Sequence, residues 1–114
     1  MSSGVFAKDK LTCAADSRPY PLPMSGPPVA LSIAGSDCCA GAGIQADLKT
    51  FSLLGVHGVT AVSTVVAETP RKVHGTHHLS PAALQEQILA LLDCYPVAAI
   101  KTGLLGTATH ITAV

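Results

Sequence analysis

The segment Gly35 to Asp47 reads Gly-Ser-Asp-Cys-Cys-Ala-Gly-Ala-Gly-Ile-Gln-Ala-Asp, with two adjacent thiols beside one carboxylate and a second carboxylate closing it. An apolar run precedes it and an amphipathic run follows. A glycine-rich turn from a strand into a helix N-terminus offers backbone N–H groups and the positive end of the helix dipole to a polar or anionic ligand. Gly41 and Gly43 permit close main-chain approach there. Asp37 and Asp47 equally suit an ordinary role as cap or dipole partner. Cys38 and Cys39, next to a helix N-terminus, have the chemistry to bind metal or attack an electrophile, but the expected reading is of small residues filling a tight loop, with no metal site.

Beyond this segment, Glu68 follows a β-rich run, where open α/β sheets place their ligands. Lys101 also follows an apolar run and suits either a phosphate counter-charge or a plain strand-end lysine. His74, His77 and His78 lack the HxxxH spacing or a matched cysteine pair that a zinc site needs, which favours a solvated loop.

The elements that must position these groups are legible from periodicity. Val29 to Ala34 is short, nearly all apolar and bounded by Pro28 and Gly35, which predicts a strand buried on both faces. Ile44, Leu48, Phe51 and Leu54 recur at helical spacing, and Gly55 lies where a helix C-terminal glycine belongs. Val59 to Ala67 returns to β-rich residues, so strand, helix, strand predicts a parallel pair with a right-handed crossover. Glu68 to His78 reads as a loop or short edge strand. Ser80-Pro81 reads as an N-cap followed by proline at the first helical position, with Leu84, Ile88, Leu91 and Tyr95 as the buried stripe and Pro96 as the stop. Val97 to Ile100 is a third strand, Lys101 to Gly106 a second glycine-containing turn, and Thr107 to Val114 the opening of another helix. Three parallel strands and two complete helices form only part of a doubly wound layer.

Met1 to Pro28 holds five of the eight prolines and no sustained apolar periodicity, which predicts a disordered tail with 29–114 as the folded part. It lacks a signal-peptide core, and no run approaches the roughly 20 apolar residues of a membrane span, so a soluble, cytoplasmic protein without a membrane partner is expected. Lys plus Arg and Asp plus Glu balance at seven each, which leaves no basic field for nucleic acid. Cys13, Cys38, Cys39 and Cys94 lack paired CxxC spacing, and bridging the adjacent pair would be strained, so reduced thiols are expected.

Gly41-Ala-Gly43-Ile-Gln-Ala46, with Glu68 after the next strand, matches the loose GxGxxG/A dinucleotide pattern. That fingerprint needs its first glycine at the strand end, whereas six residues, Gly35 to Ala40, intervene here. A lead of that length suits a pocket wall better than a pyrophosphate turn.

Four runs carry a more specific resemblance: Leu31-Ser-Ile-Ala-Gly-Ser-Asp, Gly41-Ala-Gly-Ile-Gln-Ala-Asp-Leu-Lys-Thr50, Val65-Val-Ala-Glu-Thr69 and Ile100-Lys-Thr-Gly-Leu-Leu105. In one register over 29–114, the chain resembles the hydroxymethylpyrimidine and phosphomethylpyrimidine kinases of thiamine biosynthesis, in the ribokinase-like superfamily. The resemblance implies a three-layer α/β sandwich with a mainly parallel sheet, of which 29–114 is the N-terminal part. It implies ATP- and Mg²⁺-dependent phosphorylation of 4-amino-5-hydroxymethyl-2-methylpyrimidine and then of its monophosphate. A small-molecule pyrimidine is the implied partner, and a homodimer is compatible with it. By match of position, Ala42, Asp47, Val66, Glu68 and Leu104 would line the pyrimidine pocket, with Asp37, Gly41, Gly43 and Lys101 as further candidates.

The chain departs from the family pattern in several places. Relatives often carry Asp-Pro-Ser-Gly-Gly-Ala-Gly where this chain has Asp37-Cys-Cys-Ala-Gly-Ala-Gly43, Gln where Glu68 stands, and Met where Leu104 stands. The superfamily's anion hole, catalytic base and most of its nucleotide pocket correspond to residues beyond Val114. The 114 residues are therefore expected to lack kinase activity alone and to expose an unpaired apolar sheet edge. Pyridoxal or pyridoxine kinase and a non-catalytic pyrimidine-binding module remain the competing readings, with a dinucleotide-dependent oxidoreductase more distant.

Overall fold

The computed structural model describes residues 26–114, so the predicted tail falls, through residue 25, outside the described residues. The elements in order are β1 (Val29–Asp37), α1 (Gly43–Leu53), β2 (His57–Thr69), β3 (Lys72–His78), α2 (Pro81–Cys94), β4 (Val97–Thr102) and α3 (Ala108–Ala113). They build an α/β sandwich on a four-stranded sheet of order β3-β2-β1-β4. β1 runs parallel to both β2 and β4, while β3 returns antiparallel along β2.

Successive side chains of β1 point to opposite faces of the sheet, and the two sets differ in size. Val29, Leu31 and Ile33 join Val59, Ala61, Leu84 and Ile88 in the core beneath α2. Ala30, Ser32 and Ala34 are the buried residues of the other face, where Ser32 bonds to Asp47 of α1. Small residues on that face let α1 lie close, so β1 is covered twice and needs no polar face.

The chain leaves β1 through α1 to β2, then crosses back past β1 through α2 to β4. This reversal makes β1 the topological switch point, and in such sheets the crevice opens at the carboxyl ends of the strands. Asp37, Glu68 and the residues after Thr102 all lie at that edge.

Several boundaries differ from the sequence expectation. β1 continues through Gly35 and Ser36 to Asp37, because these residues pair with Thr64, Val65 and Val66 after a register shift that leaves Ser63 as the extra residue on β2. Gln87 of α2 braces this irregularity: its Oε1 accepts the Val62 N–H at 2.9 Å and its Nε2 donates to the Val62 carbonyl at 3.1 Å. Of the two forms expected for the histidine-containing stretch, loop or short edge strand, the structure has the edge strand β3. Lys101 and Thr102 belong to β4 rather than to the turn after it.

The predicted stripe of α1 is only partly covered. Ile44 and Phe51 are half-buried, but Leu48 is 36 % exposed, and Leu54 lies past the helix at 71 %. α2 meets its expectation: Ser80 Oγ accepts the Ala83 N–H, Pro81 opens the helix, and Leu84 and Ile88 are buried. Among the described residues β4 has a neighbour on one side only, and Ala98, Ala99 and Ile100 are exposed along it. No helix among them is long and apolar enough to cross a membrane.

Gly43 fixes how α1 meets β1. Its φ is +60°, and a Cβ there would collide with the Gly35 carbonyl oxygen and lie 3.1 Å from the Asp37 nitrogen. Gly41 has no such constraint, since its nearest neighbour would be an Asp37 carboxylate oxygen at 3.6 Å. In urea unfolding, Gly43→Ala should therefore cost about 2–4 kcal/mol through backbone strain and overpacking. Gly41→Ala should change stability by less than about 1 kcal/mol.

Candidate functional site

The turn between β1 and α1 is folded by one carboxylate. Asp37 Oδ1 accepts the Cys39 N–H at 2.7 Å, while Oδ2 accepts those of Gly41 and Ala42 at 3.0 and 2.9 Å. The Ala40 N–H returns to the Asp37 carbonyl at 2.9 Å, with Ala40 in the left-handed region at φ 57°. Gln45 ties the helix to the strand: its Oε1 accepts the Asp37 N–H and its Nε2 donates to Ser36 Oγ. The Cys39 N–H bond lowers the Asp37 pKa most; desolvation opposes it, and the bonds from Ala42, Gly41 and the Glu68 side chain leave the net shift downward.

This arrangement corrects the first reading of the turn. The N–H groups of Cys39, Gly41 and Ala42 are occupied by Asp37 and are not offered to an anion. Because β1 runs to Asp37, only Cys38, Cys39 and Ala40 separate the strand from Gly41, so the lead is shorter than the sequence suggested. Occupied N–H groups, rather than a long lead, distinguish this turn from a pyrophosphate cradle.

Glu68 stands near the end of β2, two residues beyond Val66, which pairs with Asp37. Past that pair β1 has ended, and a cysteine replaces it as partner: Cys38 Sγ donates to the Glu68 carbonyl at 3.0 Å and accepts the Glu68 N–H at 3.3 Å. Cys39 Sγ donates to the same carbonyl at 3.1 Å. Desolvation raises the Glu68 pKa, and the charge of Asp37 and a hydrogen bond with its carboxylate push it the same way. The Cys39 thiol is also raised, by desolvation first and then by Cys38 and the two carboxylates.

Leu104 is held at the same edge. Its carbonyl accepts from Ser63 Oγ at 2.6 Å, and its side chain reaches to 3.4 Å from where a Gly35 Cβ would stand. Val66 is buried between β1 and β3, and Ala42 is the residue before the first turn of α1. Ala42, Val66, Glu68 and Leu104 thus approach one edge of the sheet from three strand ends, around Asp37.

Asp47 and Lys101 make a separate pair. Asp47 Oδ2 accepts from Ser32 Oγ at 2.5 Å and from Lys101 Nζ at 2.7 Å, clamping α1 over the facing residues of β1 and β4. Ser32 precedes Asp37 by five residues on β1, a strand distance of about 17 Å. Burial raises the Asp47 pKa, but the bonds from Lys101 and Ser32 and the charge of Lys101 outweigh it and leave the net shift downward. Ser32, Gln45, Ser63 and Gln87 were not singled out from sequence. The available signal was a lone polar residue in an apolar run, as Ser32 is in Val29 to Ala34.

A family model described as "Phosphomethylpyrimidine kinase" matches residues 37–114. The putative hydroxymethylpyrimidine/phosphomethylpyrimidine kinase 2 of Schizosaccharomyces pombe is 40 % identical over 112 residues, covering 98 % of this chain and 20 % of that protein. The crystal structure of the phosphomethylpyrimidine kinase of Clostridium difficile superposes with a TM-score of 0.73 at 36 % identity, covering 75 % of this chain and 37 % of the other. Bacillus subtilis pyridoxal kinase, in an ADP complex, gives 0.71 at 40 % identity, covering 76 % and 34 %. The chain therefore spans between about a fifth and just over a third of the length of these relatives.

The Asp47 clamp has a defined pH signature. Its pKa is lowered from 3.8, so its stabilisation is complete above that value and disappears as pH falls through the folded-state pKa. Asp47→Asn should lower stability at pH 7 by about 1 kcal/mol, the exposed Lys101 side being screened by water. The deficit relative to wild type should shrink on acidification below about pH 4, read from urea midpoints across pH.

Proposed function

Because the chain belongs to the phosphomethylpyrimidine kinase family, we propose that residues 29–114 form the substrate-side wall of a vitamin-precursor kinase. Its substrate in this reading is 4-amino-5-hydroxymethyl-2-methylpyrimidine and then the monophosphate, and its product serves thiamine biosynthesis. The observation that carries the reading is the gathering of Ala42, Val66, Glu68 and Leu104 at one edge of the sheet. An aminopyrimidine presents an exocyclic N–H donor beside a ring-nitrogen acceptor, so its partner must accept one hydrogen bond and donate another. A carboxylate only accepts, whereas a protonated carboxylic acid does both. Burial and the neighbouring Asp37 charge shift Glu68 toward that protonated form. A protonated Glu68 would offer the same donor and acceptor pair as the Gln common in relatives.

Val66 and Leu104 supply apolar contact to the flat ring, and Ala42 closes the pocket from the turn. Asp47, matched by position to the same pocket, is instead held on Ser32 and Lys101 away from this edge, so no ring contact is assigned to it. ATP and Mg²⁺ belong to the reaction of the whole protein. Asp37 occupies the N–H groups of Cys39, Gly41 and Ala42, so the turn does not offer these to a phosphate, and no phosphoryl step is assigned to residues 29–114. These residues are proposed to bind the alcohol without turning over ATP.

Pyridoxal kinase is the second reading, favoured by the superposition on the Bacillus subtilis enzyme. Pyridoxal also carries a hydroxymethyl group on a flat nitrogen heterocycle, but it lacks the amino group that would donate to Glu68.

Calorimetry separates these readings. Glu68→Ala should weaken binding of the pyrimidine alcohol by about 5- to 150-fold, the equivalent of about 1–3 kcal/mol for the group it leaves unpaired. Glu68→Gln should hold affinity within about threefold. Unchanged affinity in Glu68→Ala, or pyridoxal binding more tightly than the pyrimidine, would count against the proposal.

A further inference from the structure

We propose that Cys38, Cys39 and Asp37 form a chelating site for a thiophilic divalent cation at the rim of the sheet edge. The site stands independently of the substrate reading. Cys38 Sγ, Cys39 Sγ and an Asp37 carboxylate oxygen all lie within 4.8 Å of one another. Adjacent residues on an extended strand would send their side chains to opposite sides. Here the turn that the Ala40 N–H closes onto the Asp37 carbonyl breaks that alternation, and both sulfurs aim at the single carbonyl of Glu68.

Both cysteines are exposed and unbridged, so an ion reaches them without unfolding the turn. Asp37 Oδ1 accepts only one of the three N–H bonds to that carboxylate, which leaves it acceptor capacity for a cation. Two soft sulfurs and one carboxylate oxygen select a zinc- or cadmium-like ion over magnesium or calcium.

Chelation involves no redox change. The two S–H bonds that now point at the Glu68 carbonyl break, two metal–sulfur bonds form, and two protons pass to solvent. The Asp37 oxygen adds as a third donor without losing a proton. Because the thiols leave the Glu68 carbonyl, the ion also frees the end of β2 from the turn.

Cadmium titration of the protein tests this, following the ultraviolet sulfur-to-metal charge-transfer band and proton release in weak buffer. One ion per chain and close to two protons per ion are expected at this site in a background of Cys13→Ser and Cys94→Ser. Cys38→Ser and Cys39→Ser should each weaken binding beyond the roughly 10- to 100-fold that even supporting groups of a metal site contribute. A second measurement needs no variant. In the wild-type protein, cadmium should protect Cys38 and Cys39 together from alkylation, as read by peptide mapping, and magnesium should not. Independent protection of the two thiols, single variants that bind as tightly as the parent, or no band at all would each overturn the site.

Discussion

The carboxylate of Asp37 gathers three backbone N–H groups of the following five residues, and the geometry of the sheet edge depends on that interaction. Without a charged acceptor, the turn would leave polar groups unpaired beside the strand ends. With it, the chain reverses within a few residues and enters α1 at Gly43, where only a residue without Cβ passes the Gly35 carbonyl. The same carboxylate then acts outward. Its negative charge lies beside Glu68 and makes a second negative charge there unfavourable. One group thus sets the path of the main chain and, after desolvation, contributes to raising the pKa of its neighbour.

The unequal faces of β1 support this arrangement from below. Large residues against α2 supply the core, while Ala30, Ser32 and Ala34 let α1 approach closely enough for Asp47 to reach Ser32 and Lys101. Position at the edge and rigidity in the middle come from different residues. Asp37 and Gly43 determine where the helix begins, and the Asp47 clamp determines how firmly it is held. Gln87 performs a related task on β2, satisfying the Val62 backbone where the extra residue Ser63 shifts the register.

The element order was readable because both strands flanking α1 are apolar runs and because Ser80-Pro81 is a strong helix start. The end of β1 was not. Gly35, Ser36 and Asp37 have turn-forming side chains, and only pairing with β2, a contact distant in sequence, keeps them extended. The partial exposure of α1 was also hidden, since helical spacing specifies a face but not what covers it. The place of Glu68 near the carboxyl edge of the sheet was legible from the β-rich run before it, although β2 extends past it to Thr69. A capping role for Asp37 was among the sequence readings and is met, although the number of N–H groups it gathers was not foreseeable. Lys101 shows a similar ambiguity, and in the structure it makes a 2.7 Å contact with Asp47.

The proposed picture is a recognition group, Glu68, near the end of β2, its pKa raised by desolvation and by the carboxylate of Asp37 at the end of β1, with apolar contacts from Val66 and Leu104. Its most direct test is amide chemical-shift mapping of the protein titrated with 4-amino-5-hydroxymethyl-2-methylpyrimidine. The largest perturbations should fall on Ala42, Val66, Glu68 and Leu104, with α2 and the outer face of α1 unmoved. Perturbations centred instead on β3 or on Leu48 to Leu53, with Glu68 silent, would contradict it.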